Sequence, residues 1–162
     1  MKPFESLHKE TLKELHTEQN KPLFEKILAL VQPRADDIAM YFYRELLNHE
    51  KAIRFLNHDL VKNRLRITLA KWLCDSLRYQ STPDDLNKSY QYQREIGQIH
   101  ARIDLPMSLV DYGMGLIKLQ VALVLKESNL ERDELADAII LCGQVFDLGL
   151  AVIEIVRANQ CR

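Results

Sequence analysis

A chain of 162 residues, 47% of them hydrophobic, is long enough to bury one sizeable core and too short for two comfortable domains. Lys and Arg total 22 against 23 for Asp and Glu, so there is no basic excess of the kind that a nucleic acid or an anionic membrane surface requires. The three cysteines, Cys74, Cys142 and Cys161, are odd in number and far apart, form no CxxC pair, and read as reduced thiols of a cytoplasmic protein. The start, MKPFESLHKE, lacks the apolar core of a secretory signal. The longest uncharged apolar stretch, Ala138 to Phe146, falls well below the ~20 residues of a bilayer span, so a soluble chain with no membrane partner is expected.

Five glycines and five prolines punctuate helical rather than alternating periodicity, which predicts an all-α fold. Phe4 to Glu18 reads as a weakly amphipathic opening helix, and Lys21-Pro22 separates it from a second with Leu23, Ile27, Leu28 and Val31 on one face. Residues 1–20 are therefore an N-terminal helical extension, and 21–162 the main domain. Pro33 ends the second helix, and Asp36 and Asp37 suit the first turn of a third, whose inward stripe is Ala39, Tyr43, Leu46 and Leu47. Asn57-His58-Asp59 predicts a cap, with Asp59 as N-cap of a long helix from Leu60 to about Arg78. Its stripe is Val61, Leu65, Thr68, Leu69, Trp72 and Ser76. Ser81-Thr82-Pro83-Asp84 opens the next helix, which carries Tyr92, Ile96, Ile99, His100 and Ile103 before the break at Asp104 to Pro106. Pro106 begins the penultimate helix, through Lys126.

The last helix, roughly Arg132 to Asn159, repeats apolar residues at Leu135, Ala138, Cys142, Val145, Gly149, Val152 and Val156. A second seam runs beside it through Leu141, Leu148 and Ile155. Two adjacent seams on one long helix predict a second packing partner, hence a homodimer through the last two helices. The alternative is a helix buried on several sides within one chain.

Four of the five histidines have simple placements. His8 and His16 lie on a polar opening helix at a spacing that cannot aim both at one metal, and are expected in solvent; His49 and His58 fall in turns. His100 differs, being flanked by Ile96, Ile99 and Ile103 near a helix C-terminus. An imidazole on an apolar face must find a partner, so it is either a satisfied core or interface histidine or a metal or haem ligand. Gly97, one turn earlier, removes side-chain bulk where a flat macrocycle would lie. Tyr43 likewise must place its hydroxyl against a buried acceptor or a ligand, and Trp72 and the Leu65 stripe fit a core as readily as a pocket. There is no catalytic triad, phosphate loop, carboxylate pair or CxxCH haem attachment, so nothing in this segment points to catalysis.

The run from Gln93 to Pro106, with its His100-Ala101-Arg102-Ile103-Asp104-Leu105-Pro106 pattern, resembles the proximal-histidine segment of globin-coupled sensors. Phe42-Tyr43-Arg44 resembles that family's distal tyrosine segment, and Leu65, Thr68 and Lys71-Trp72 its distal helix in order and spacing. The resemblance covers about Ala35 to Val156, in particular to the sensor globins that precede bacterial diguanylate cyclases. It implies a globin-like fold binding haem b non-covalently, with His100 as the axial iron ligand and Tyr43 as distal donor to a diatomic gas such as O2. Leu65 and Thr68 would be distal neighbours, and Phe42, Leu69, Trp72, Ile96, Gly97 and Ile103 would complete the haem pocket. Neutral imidazole suits the fifth position of haem iron and leaves a sixth for the gas. The implied function is a haem-based oxygen sensor controlling a C-terminal output domain, such as a diguanylate cyclase. A haem-free globin-like signalling module and an oxygen-carrying or gas-detoxifying globin are the alternatives, and fold analogy alone supplies the cyclase.

Overall fold

The computed structural model describes residues 1–160, apart from the side chains of His58, Val61, Lys62 and Gln160, and every regular element among them is helical. The expected places of Cys161 and of the Val61 side chain lie outside the described residues. In order the chain forms α1 (Phe4–Leu15), α2 (Lys21–Val31), α3 (Ala35–Leu47), a helical turn α4 (His58–Leu60), α5 (Arg66–Ser76), α6 (Pro83–Arg102), α7 (Met107–Lys126) and α8 (Arg132–Gln160). Short 3₁₀ turns at Gln32–Arg34 and Ala52–Arg54 flank α3, and a π-helical turn over Val61–Leu65 joins α4 to α5.

Local chemistry accounts for the boundaries. Thr82 and Asp85 form a reciprocal capping box at the start of α6: the Asp85 amide donates to Thr82 Oγ1 at 3.1 Å, and the Thr82 amide to Asp85 Oδ2 at 3.2 Å. The Leu60 amide donates to Asn57 Oδ1 at 2.8 Å, so Asn57 rather than Asp59 caps the long helix, which starts at His58. Between α6 and α7 the chain reverses on Asp104, whose φ of 51° is left-handed, while the Leu105 amide donates to the His100 carbonyl at 3.0 Å. An aspartate tolerates that conformation better than a branched residue would.

The main core joins α2, α3, α5, α7 and α8. Phe24, Ile27 and Val31 meet Leu73, Leu125 and Phe146, all 0–1% exposed. A smaller cluster packs Tyr43, Leu46, Ala52 and Leu109 together, bordered by Phe42, Leu65, Leu69 and Leu105. α6 lies closely on α8, because a Cβ at Gly97 would come within 3.1 Å of Ile153 Cα and of Val156 Cβ. By length and composition α7 and α8 could each cross a bilayer, but both pack against the other helices as core elements.

Two expectations are corrected by this packing, and a third is narrowed. His8 and His16 are buried, not solvated: His8 Nε2 donates to the Leu148 carbonyl at 3.0 Å, and His16 Nδ1 accepts from the Gln80 amide at 2.9 Å while stacking on Phe24. Together they seat α1 on α8 and on the segment before α6. The buried face of α6 is Leu86, Tyr90, Gln93 and Gly97, whereas Ile99 and Ile103 are each 49% exposed. Finally, the first apolar seam of α8 turns inward, with Ala138, Cys142, Val145 and Val152 buried in the chain's own core, whereas of the second only Leu141 is buried and Leu148 and Ile155 are half-buried. Burial within the chain thus accounts for the first seam and for only part of the second.

Candidate functional site

His100 stands in the last turn of α6, held in register by the Leu105 amide that caps its carbonyl. Its Nδ1 is buried and has no hydrogen-bond partner. Burial, with the nearby Arg157 cation as a second cause, holds the imidazole below the usual histidine range, so the ring is neutral at neutral pH. A neutral, desolvated imidazole with an unpartnered nitrogen costs free energy unless something binds it.

Tyr43 lies on the inward face of α3, 9% exposed, and desolvation drives its phenol well above the ordinary tyrosine range. It is therefore always protonated and able to donate. Phe42 meets it edge to face, with ring centroids 4.8 Å apart. The Phe42 ring sits where a side chain on Gly113 would be, since a Cβ there would fall 2.7 Å from Phe42 Cε2. Leu65 and Leu69 border the Tyr43 cluster from the π turn and α5, Leu105 borders it from the turn that follows His100, and Leu109 of the first turn of α7 belongs to it. The two residues singled out in the sequence thus belong to one end of the molecule, joined through that turn.

The other sequence candidates divide. Trp72 is buried in the main core, donates Nε1–H to Gln93 Oε1 at 3.1 Å and stacks on Phe146. Ile96 is half-buried against the same core. Gly97 faces Ile153 and Val156, so its missing side chain serves the approach of α6 to α8. Thr68 is exposed, and its hydroxyl donates to the Arg64 carbonyl at 3.0 Å. Ile103 is half-exposed at the end of α6. The structure brings together Tyr43, Phe42, Leu65 and Leu69; it does not bring Thr68 or Ile103 into that cluster.

Sequence reasoning missed the polar groups behind the site. Arg157 of α8 is largely buried, and its Nη2 donates to Asp104 Oδ1 at 3.2 Å. Its position was legible, because Phe146, Gly149, Ile153 and Arg157 follow one another at helical spacing and the first three are buried. Gln93 is buried too, set between Trp72 and the bare backbone of Gly149, 3.4 Å from where a Cβ would be.

The Protoglobin family model matches residues 14–153, nearly the whole described chain. The chain belongs to the Protoglobin family. Within the protoglobin fold it is similar to the crystal structure of the globin domain of E. coli DosC in its ferric form, at a TM-score of 0.84 and 21% identity, covering 91% of this chain and 98% of that one. The globin domain of the Geobacter sulfurreducens globin-coupled sensor is similar at a TM-score of 0.78 and 19% identity, over 90% and 94% of the two chains. In sequence this protoglobin is 28% identical over 102 residues to the diguanylate cyclase DosC of Shigella flexneri and 27% identical over 97 residues to that of E. coli K12. Those stretches are 62% and 60% of this chain but only 26% and 21% of the relatives, so it spans about a quarter of their length. The all-α globin-like fold expected from the sequence is the fold observed.

Proposed function

We propose that this protoglobin is a haem-based sensor domain for a diatomic gas, oxygen in the first instance, that controls an output domain such as a diguanylate cyclase. The observation that carries this reading is the buried, unpartnered nitrogen of a neutral His100 beside a turn that also lines the Tyr43 cluster. That donor chemistry fits a haem: one imidazole nitrogen, an apolar wall of Phe42, Leu65 and Leu69, and a phenol donor. Haem b, held without covalent attachment, would supply an iron centre with one open position for a gas. His100 would hold that iron. Tyr43 would donate a hydrogen bond to a gas that gathers partial negative charge, which favours oxygen over carbon monoxide. Leu65 and Leu69 would exclude water, and Phe42 would fix the phenol's orientation.

No catalytic set accompanies these residues, so any cyclase activity belongs to the part of the relatives that this chain does not span. The unpaired thiols Cys74 and Cys142 suit the reducing cytoplasm. Residues 1–20 act as an extension whose helix α1 is clasped to the globin body. Replacing His100 with Ala should abolish stable haem binding, or make it depend on added imidazole, as read from the absorption spectrum of haem-supplied protein. A variant with the unaltered parent spectrum would overturn the assignment.

The domain pairs with a second copy through its last two helices, on a face other than the seams first considered. Leu119 and Leu123 of α7 and Ile139 and Ile140 of α8 are 38–60% exposed, although the rest of both helices is rich in buried apolar residues. Two such antiparallel helices are self-complementary under a two-fold axis and would form a four-helix bundle with their copy. Ile140→Glu should convert the dimer to monomer in sedimentation without changing the haem spectrum. A parent that is monomeric at micromolar concentration would overturn the pairing.

A further inference from the structure

Among the described residues, Arg157 is a largely buried guanidinium whose position neither the core nor the solvent explains. Its side chain is 15% exposed, its Nη2 reaches Asp104 Oδ1 at 3.2 Å, and its Nη1 is buried without a partner. A buried cation half-satisfied in this way is costly unless its charge is used. Asp104 is 96% exposed and occupies the left-handed position at which the chain turns from α6 to α7. Arg157 therefore bridges the last turns of α8 to the turn that carries His100 on one side and the Tyr43 neighbours Leu105 and Leu109 on the other.

We propose that Arg157 is a positioning residue: it latches the His100 end of α6 to the C-terminal end of α8 and sets a positive charge against the iron ligand. This rests on the assignment of His100 above. The latch gives the haem helix a polar connection to the helix that leads out of the domain. Around Gly97, Ile153 and Val156 the two helices meet through close packing with no polar bond between them. The charge acts independently of the latch, because a cation near haem iron favours the reduced state and a carboxylate that neutralises the cation opposes it.

Arg157→Gln and Asp104→Asn separate the two roles in the haem-loaded domain. Both break the same ion pair, so hydrogen exchange measured by mass spectrometry should quicken roughly two- to fivefold in residues 103–107 and in the last turns of α8, the factor such a pair contributes. The midpoint potential should move in opposite directions, down in Arg157→Gln and up in Asp104→Asn, whereas simple loosening of the pocket would move both the same way. Asp104 is exposed, so its variant folds and decides the question even where Arg157→Gln does not. Potentials that shift together or not at all, or exchange that is unchanged in both variants, overturn the proposal. A parent protein that takes up no haem overturns the His100 assignment beneath it, which the parent's absorption spectrum shows before either variant is made.

Discussion

The two hydrophobic clusters of this protoglobin are built to different standards. Around Phe24, Phe146, Leu73 and Leu125, long regular helices bring large aliphatic and aromatic side chains to 0–1% exposure. Around Tyr43 the buried set is four residues, one of them polar, and α3 and α7 close it only with the help of short irregular pieces, the 3₁₀ turn at Ala52–Arg54 and the π turn at Val61–Leu65. π turns inside helices are rare and recur at functional sites. The larger cluster holds the fold, and the smaller one can rearrange around a ligand without unfolding it, because local stability follows buried apolar contact.

That contrast is open to attack from its strong side first. Phe146→Ala removes a fully buried aromatic that also stacks on Trp72, and it should cost about 3–5 kcal/mol in urea-induced unfolding of the domain. A cost below that of truncating Leu109 in the smaller cluster would erase the distinction. On the weak side, Tyr43→Phe keeps the ring and loses one hydrogen bond to a partly charged ligand, worth about 1.5–3 kcal/mol. Oxygen dissociation, followed by stopped flow, should quicken roughly ten- to a hundredfold, with a much smaller change for carbon monoxide. Thr68→Ala sharpens the same comparison, since the exposed hydroxyl already donates to Arg64 and its loss should leave dissociation within about twofold. Equal effects of the Tyr43 variant on both gases would replace the hydrogen bond with a steric role.

Element order, the prolines that divide the helices and the helix start at Ser81 to Asp84 were all readable from the sequence, as were the inward placement of Tyr43 and the unusual setting of His100. The face of each helix was harder to read. A continuous stripe from Val61 through Thr68 to Trp72 assumes unbroken α geometry, but the π turn inserts extra rotation before Arg66, and Thr68 ends outside. On α6 the isoleucines suggested the wrong inward face, because Gln93 and Gly97, a polar residue and one with no side chain, are what α8 and Trp72 select. On α8 an apolar seam looks the same whether a copy or the chain itself covers it, and only the fold shows that its own core covers the first seam and half-covers the second.

The two histidines that clasp α1 make the attachment of the N-terminus a function of acidity. Burial lowers both, His16 to about 4, and the acceptor role of His16 Nδ1 toward the Gln80 amide exists only in the neutral ring. An unfolded or detached segment binds those protons near pH 6.5, so attachment is complete above that value and weakens as pH falls toward 4, by about 1.4 kcal/mol per unit for His16, with His8 acting in the same direction. Hydrogen exchange followed from pH 7 to pH 5, corrected for its intrinsic pH dependence, should show α1 losing protection while α7 keeps it, and parallel loss in both would mean global unfolding instead. On that expectation mild acid would unfasten one helix selectively, loosening the hold of His8 on α8 at Leu148 with no haem involved.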